Sequence, residues 1–168
     1  GVCGEFPPYE FIGPKGKFEG LNIDILRAVA KDAGYSVRFT TDDRNSLRYM
    51  LDSGQVDLLA GMIKTRDRAG WYLFSSPHSY IHFSVFTRKG EPLISGWNAL
   101  RGKRLLMETG SVVEELLDDR GIKTTILKTP DFREALEKLS IGAGDAVVMP
   151  KLQAYYYIGQ LQLDNLIE

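Results

Sequence analysis

Val56-Asp57-Leu58-Leu59-Ala60-Gly61-Met62-Ile63-Lys64-Thr65-Arg66-Asp67-Arg68 is the stretch whose reading decides the fold. Its first five residues predict a short buried strand, and Gly61 marks where that strand gives way to polar chemistry. Glycine lets the backbone come close to another group. Thr65 supplies a hydroxyl and a helix N-cap ahead of Arg66 and Arg68. An arginine at such a turn can clamp a carboxylate through two parallel hydrogen bonds. The same residues also suit a capped strand end with solvated arginines, and the octapeptide Gly61–Arg68 leaves both readings open.

Working outward, Leu47, Met50 and Leu51 form a short helical stripe ended by Ser53-Gly54, and Asp42-Asp43-Arg44-Asn45 is the loop that starts it. Ser36-Val37-Arg38-Phe39-Thr40 alternates with period two and predicts a strand. Leu21, Ile25, Leu26, Val29, Ala30 and Ala33 form a longer helical stripe, closed by Gly34 in the C′ position. Strand, helix, strand, helix, strand is the pattern of a parallel sheet with crossover helices, in which ligands bind beyond the carboxyl ends of the strands. At the N-terminus, Glu5-Phe6-Pro7-Pro8-Tyr9-Glu10-Phe11 is held extended by its prolines. Its aromatics serve equally as ligand walls or loop anchors. The glycines and Pro14 between Gly13 and Gly20 predict a turn or hairpin.

After the long strand expected over Tyr80–Thr87, Arg88-Lys89-Gly90-Glu91-Pro92 is a polar break, and the pattern restarts. A strand is expected at Lys103–Met107, then Thr109-Gly110-Ser111 leading into a helix, with Ser111 and Glu114 spaced as a capping box. A glycine and hydroxyl at a helix start after a strand also describe an anion-binding terminus. A strand over Thr124–Leu127 is followed by Thr129-Pro130 as N-cap and N1 of another helix. Asp145–Met149 reads as a buried strand, Pro150 opens a last helix, and Leu163–Ile167 begins another strand. The organisation expected is two similar lobes, 1–87 and 88–168, with a hinge near 87–89.

Bulk properties narrow the function. The chain has 168 residues, 43% of them hydrophobic, which suffices for a packed core. Its formal net charge of -1 argues against a nucleic-acid or anionic-membrane surface, either of which needs a basic excess. Cys3 is the single cysteine, so no intrachain disulfide can form. His78 and His82 are four apart but lie in a strand-like stretch without the acidic residue of a zinc peptidase motif, so no metal is expected. No apolar run approaches the roughly 18 residues of a membrane-spanning helix.

The order of these elements resembles the periplasmic solute-binding proteins, in the branch that binds amino acids and other small polar solutes. Phe6-Pro7-Pro8-Tyr9-Glu10-Phe11 is similar to that family's aromatic Pro-Pro segment, and Gly20–Ile25 to its Gly-Phe-x-x-Asp-Leu helix start. Leu51–Leu58 resembles its Leu-x-x-Gly-x-x-Asp lead, and Gly61–Arg68 its Gly-Met-x-x-Thr-x-x-Arg segment. Phe74-Ser75-Ser76-Pro77 with Tyr80, Leu100–Lys103, Gly110-Ser111 and Gly144–Val147 follow in the family's order. The resemblance implies an α/β, two-lobed type II fold, each lobe a mostly parallel sheet flanked by helices, without the family's C-terminal return to lobe 1. It also implies that Arg68 pairs with a ligand carboxylate, that Thr65 and the backbone of Gly61, Met62 and Ile63 bond its oxygens, and that Phe6 stacks over the ligand. Ser111 and Val112 would close on it from the second lobe, binding favouring the closed state.

Two departures bear on the ligand. The family's usual ammonium-binding aspartate is Pro150 here, which leaves Glu5, Glu10 or Glu108 to take that role. The residue before the second helix is Arg44, which makes the expected pocket more cationic, so that the implied small carboxylate-bearing solute is an amino acid or a related acid, a dicarboxylate or another acid lacking an ammonium being open beside it. Among functions that share the fold, the sub-pattern around Lys64–Ala69, Ser76–Tyr80 and Met149–Gln153 most resembles the sensor domains of membrane histidine kinases. The implied protein is a non-enzymatic, cofactor-free sensor at the periplasmic or extracellular face of the inner membrane, forming homodimers within a receptor. A carrier of an ABC amino-acid importer is the alternative, and a dehydratase-like enzyme the third.

Overall fold

The prolines and glycines of the first twenty residues build an antiparallel ribbon of β1 (Glu5–Phe6), β2 (Glu10–Ile12) and β3 (Phe18–Glu19) in a computed structural model that describes residues 1–168. The β2–β3 turn closes through Gly13 N–H to the Lys17 carbonyl at 2.8 Å, the hairpin expected from composition. Helix α1 (Leu21–Asp32) follows at once. Its N-terminus has no side-chain cap, and the carbonyls of Pro8 and Tyr9 accept from the Leu21 and Asn22 amides instead, at 3.2 and 2.8 Å. At its other end Gly34, at φ 77°, donates to the Lys31 carbonyl while Tyr35 donates to Ala30, a complete Schellman closure. Helix α2 (Arg44–Asp52) ends the same way through Gly54 and Gln55, and begins at Asp43, whose carboxylate accepts from the Asn45 and Ser46 amides. The one-turn helix α3 (Arg68–Trp71) completes the first unit, Gly1–Tyr72.

The strands expected over 36–40 and 56–60 do not form a ladder. What remains of the parallel pairing is a single bridge, Val2 to Thr41, with Val2 N–H on the Thr40 carbonyl and Ala60 N–H on the Gly1 carbonyl. The first unit is therefore not a mostly parallel sheet, and its regular strands are antiparallel. The reason is burial. A parallel strand is normally covered on both faces, whereas Leu58 is 45% exposed and Asp57 lies open beside it.

The second unit, Leu73–Glu168, holds a five-stranded mixed sheet in the order β6-β5-β7-β4-β8. Its strands are β4 (Phe83–Arg88), β5 (Arg104–Glu108), β6 (Thr125–Thr129), β7 (Ala146–Pro150) and β8 (Leu166–Ile167). β5 runs parallel to β6 and β7, while β4 runs antiparallel to β7 and β8. The sequence reading put the break after residue 87 and so gave this strand to the first lobe. Instead β4 is the fourth strand of the second sheet, and Arg88 at its end donates to the Leu139 and Gly144 carbonyls. Non-local pairing of this kind leaves no mark in the local pattern.

Alternation along the strands sends Leu105, Met107, Ala146 and Val148 into one core with Val113 and Leu117 of α4 (Val112–Asp119). Leu106, Val147 and Met149 enter the other, against Leu136 and Leu139 of α5 (Phe132–Ser140) and Tyr157 of α6 (Lys151–Leu161). Covered on both faces, this sheet has the long apolar strands such burial requires. The cap of α5 is Asp131, which accepts from the Glu134 amide at 2.7 Å, and not the expected Thr129, which ends β6.

Candidate functional site

The first unit carries three local groupings of the expected residues. In the Gly61–Arg68 segment, Thr65 Oγ1 accepts the Arg68 backbone N–H at 3.1 Å, so the hydroxyl caps the α3 turn as its type suggests. Arg68 is 9% exposed, and its guanidinium donates to the Ile63 carbonyl at 3.4 Å. Met62 and Ile63 are half-buried, while Lys64, Arg66 and Asp67 stand exposed. A long cationic side chain folded back beneath its own turn is thus held in place by backbone.

Gly61 is fixed by a second grouping. A Cβ built there would stand 2.7 Å from both Glu10 carboxylate oxygens and from Asn22 Nδ2. The close approach expected of this glycine is real, and the group approached is a buried carboxylate of the same unit. Glu10 is 3% exposed; its Oε1 accepts from the Cys3 backbone N–H at 3.0 Å and its Oε2 from Asn22 Nδ2 at 3.3 Å. Burial pushes the Glu10 carboxyl above its ordinary range, opposed by those two hydrogen bonds and by the charges of Arg44 and the Gly1 amino group. Asn22 had no role in the sequence reading. Its only signal was a polar residue at the second position of an amphipathic helix.

The third grouping concerns Phe6, expected to stack over a ligand. Its ring is 1% exposed, stacks on Tyr9 at a centroid distance of 5.0 Å, and has the Arg44 guanidinium 5.0 Å from its centroid. Arg44 is half-buried at the first position of α2, directly after the Asp43 cap. Glu5, the neighbouring candidate, is exposed.

In the second unit Glu108, Ser111 and Val112 lie together where β5 meets α4. Ser111 is 5% exposed; its N–H donates to the Glu108 carbonyl and its hydroxyl accepts the Val113 N–H at 3.3 Å. The Glu114 side chain pairs with Lys128, so the expected capping box is replaced by a plain N-cap in which Ser111 takes the Val113 amide. Val112 is 5% and Glu108 7% exposed. Pro150 ends β7 and lies opposite Phe83 in the register. No group of three or more His, Cys, Asp or Glu stands in a metal-holding arrangement.

Known proteins resemble this chain over most of its length. A family model described as bacterial extracellular solute-binding proteins, family 3, matches residues 1–154. A putative amino-acid ABC transporter-binding protein of Vibrio harveyi is 29% identical over 92% of the chain, and an L-cystine-binding protein of Escherichia coli is 26% identical over 92%. The chain spans 62% and 59% of the lengths of these two relatives. Among solved structures, a histidine kinase sensor domain with similarity to periplasmic binding proteins matches 99% of the chain and 73% of its own, at 31% identity and a TM-score of 0.93. An ancestral arginine-binding protein, solved with arginine, matches 99% of the chain and 75% of its own, at 30% identity and a TM-score of 0.84.

Proposed function

The chain belongs to the bacterial extracellular solute-binding proteins, family 3, with that family's α/β fold, and from this premise we propose that it binds a small carboxylate-bearing solute through Thr65 and Arg68. The observation that carries the reading is Arg68 itself. Arg68, 9% exposed, is anchored through its backbone N–H to Thr65 and through its guanidinium to the carbonyl of Ile63, so groups of its own turn fix where the charge stands. Such preorganisation reduces the side-chain entropy lost on binding. The backbone of Gly61, Met62 and Ile63 offers further donors beside it. The named relatives are binding proteins, and no step of chemistry is assigned to this chain.

Arg44 sharpens the ligand class. A second guanidinium in the same unit, with Glu10 committed to Cys3 and Asn22, disfavours cationic amino acids and favours acids with a second anionic group. Calorimetric titration with L-arginine, L-glutamine and succinate tests both statements. Arg68→Ala is expected to remove the affinity for every carboxylate in the panel, a loss of at least about 1.5–3 kcal/mol for a charged hydrogen-bonding partner. Unchanged affinity overturns the assignment.

The likeness to a kinase sensor domain supports a role in transmembrane signalling, with the solute as the signal and dimerisation as the route of transmission. The two transporter relatives support a carrier role instead. No helix of the chain is long and apolar enough to cross a membrane, so the sensor reading requires spanning and kinase segments elsewhere in the gene product. Ligand-dependent autophosphorylation of the full-length protein in membranes separates the two.

A further inference from the structure

We propose that Glu10 is the positioning residue of the ligand-binding turn: its buried carboxylate, braced against Gly61, sets where the peptide groups of Gly61, Met62 and Ile63 stand. The inference rests on the carboxylate-binding reading above.

Four chain segments, its own among them, meet at this one side chain. Cys3, ahead of β1, donates its backbone N–H to Oε1 at 3.0 Å, and Asn22, in the first turn of α1, donates to Oε2 at 3.3 Å. Glu10 itself sits in β2, paired with Phe6 of β1. Gly61 arrives as the fourth, its Cα so close that a Cβ would meet both carboxylate oxygens and the Asn22 amide at 2.7 Å. Around Gly61 the chain has no ladder of strand hydrogen bonds, the last of the few backbone bonds there being Ala60 N–H to the Gly1 carbonyl at 3.1 Å. With so little sheet to define it, the turn takes its position from the packed carboxylate.

A buried charge that braces a ligand-binding turn also couples it to protons. Facing Glu10 are the Arg44 guanidinium from α2, the Gly1 amino group, the Asn22 amide from α1 and the Cys3 backbone N–H. Burial is the largest influence on this carboxyl and favours its neutral form. While ionised, it opposes the arrival of a second anion nearby; once protonated, it does not. Affinity for an anionic ligand therefore rises as pH falls through the titration of Glu10. For two charges about 10 Å apart at an effective dielectric of about 20, the change is on the order of tenfold.

The test uses the 168-residue protein and the isosteric, uncharged variant Glu10→Gln. Its first readout needs no ligand: the amide resonances of Gly61, Met62 and Ile63 followed by NMR across pH 4–9. They are expected to move together along one titration curve in the parent and to stay flat in Glu10→Gln. The second is the calorimetric affinity for succinate and L-glutamine over the same range. The parent's affinity relative to that of Glu10→Gln is expected to rise roughly tenfold toward acid pH, the variant retaining only the pH dependence of the probe's own carboxyl groups. Glu10→Ala and Gly61→Ala are expected to weaken both probes at least tenfold, and melting curves identify any variant that has unfolded. A Glu10→Gln protein whose amide shifts and affinities follow pH as the parent's do overturns the proposal, because a merely structural glutamate would change the melting temperature alone. If neither probe binds the parent, the carboxylate-binding reading fails, while the amide titration still decides whether Glu10 positions the turn.

Discussion

Gly61 in the first unit and Gly144 in the second both bring backbone too close to a neighbour for a Cβ to fit, and their neighbours differ in kind. At Gly144 a Cβ would meet the Leu106 side chain at 2.8 Å and the Arg104 carbonyl at 3.2 Å, and the contact serves packing beside β7. At Gly61 it would meet a carboxylate and an amide. The units diverge in the same direction. The second covers its sheet with apolar side chains on both faces, whereas the first leaves Val29, Tyr49 and Leu58 at 58, 67 and 45% exposure and buries Glu10, Asn22 and Arg68 alongside Val2, Phe6 and Ile23. A close-packed apolar interior stabilises without directing chemistry. A buried polar cluster stabilises less and fixes where donors point.

The comparison can be broken at several scales. The largest expected effect is in the apolar unit: Leu136→Ala, at a fully buried position between sheet and helix, should cost about 2–5 kcal/mol in a denaturant titration. The same truncation at exposed Leu58 should stay within about 0.5 kcal/mol. Next come the two glycines. Gly144→Ala and Gly61→Ala should each cost about 1–3 kcal/mol by overpacking, yet only Gly61→Ala should also weaken ligand binding. Equal effects on affinity would erase the distinction drawn here.

A smaller effect is expected at the start of α2. Asp43→Ala removes the side chain that caps two amides and should cost about 0.5–2 kcal/mol. The hydrogen bond from the Ser46 hydroxyl, with those from the two backbone amides, holds the Asp43 carboxyl below its ordinary value. A depressed folded-state pKa contributes stability that is present above the unfolded value, near 4, and is lost as pH falls through the folded one. The gap between parent and variant should therefore be full at pH 7 and close in strong acid, as thermal melts at the two pH values would show. The smallest effect belongs to the surface of α5. Breaking the pair Lys138–Glu134, 2.7 Å apart at i,i+4 spacing, should cost only about 0.3–0.5 kcal/mol and fade with added salt.

Much of the fold was legible because its signals are local. The stripe from Leu21 and the closing Gly34 located α1, and Ser53-Gly54 ended α2, because a helix and its left-handed terminus are written in neighbouring residues. Where two local signals competed, the reading slipped: Thr129-Pro130 and Asp131 both suit a helix start, and only the hydrogen bond to the Glu134 amide selects Asp131. In the candidate site, the cap from Thr65 to Arg68 and the need for glycine at 61 were legible from residue type and spacing. That the close neighbour of Gly61 is Glu10, fifty-one positions earlier, was not.

The sequence by itself therefore determined the α/β class, the solute-binding family and the residues of the Gly61–Arg68 turn, since periodicity, caps and motif order depend on a few consecutive side chains. Only the tertiary structure decided that Phe86 and its strand join the second unit, that the strands expected at 36–40 and 56–60 are reduced to a bridge and a few bonds, and that Phe6 is buried against Tyr9 and Arg44. It also decided that Glu10, which the sequence offered as a ligand partner, is enclosed by Cys3, Asn22 and Gly61. Burial and pairing are set by segments far apart in the chain, and a carboxyl group's chemistry follows from how much water those segments leave around it.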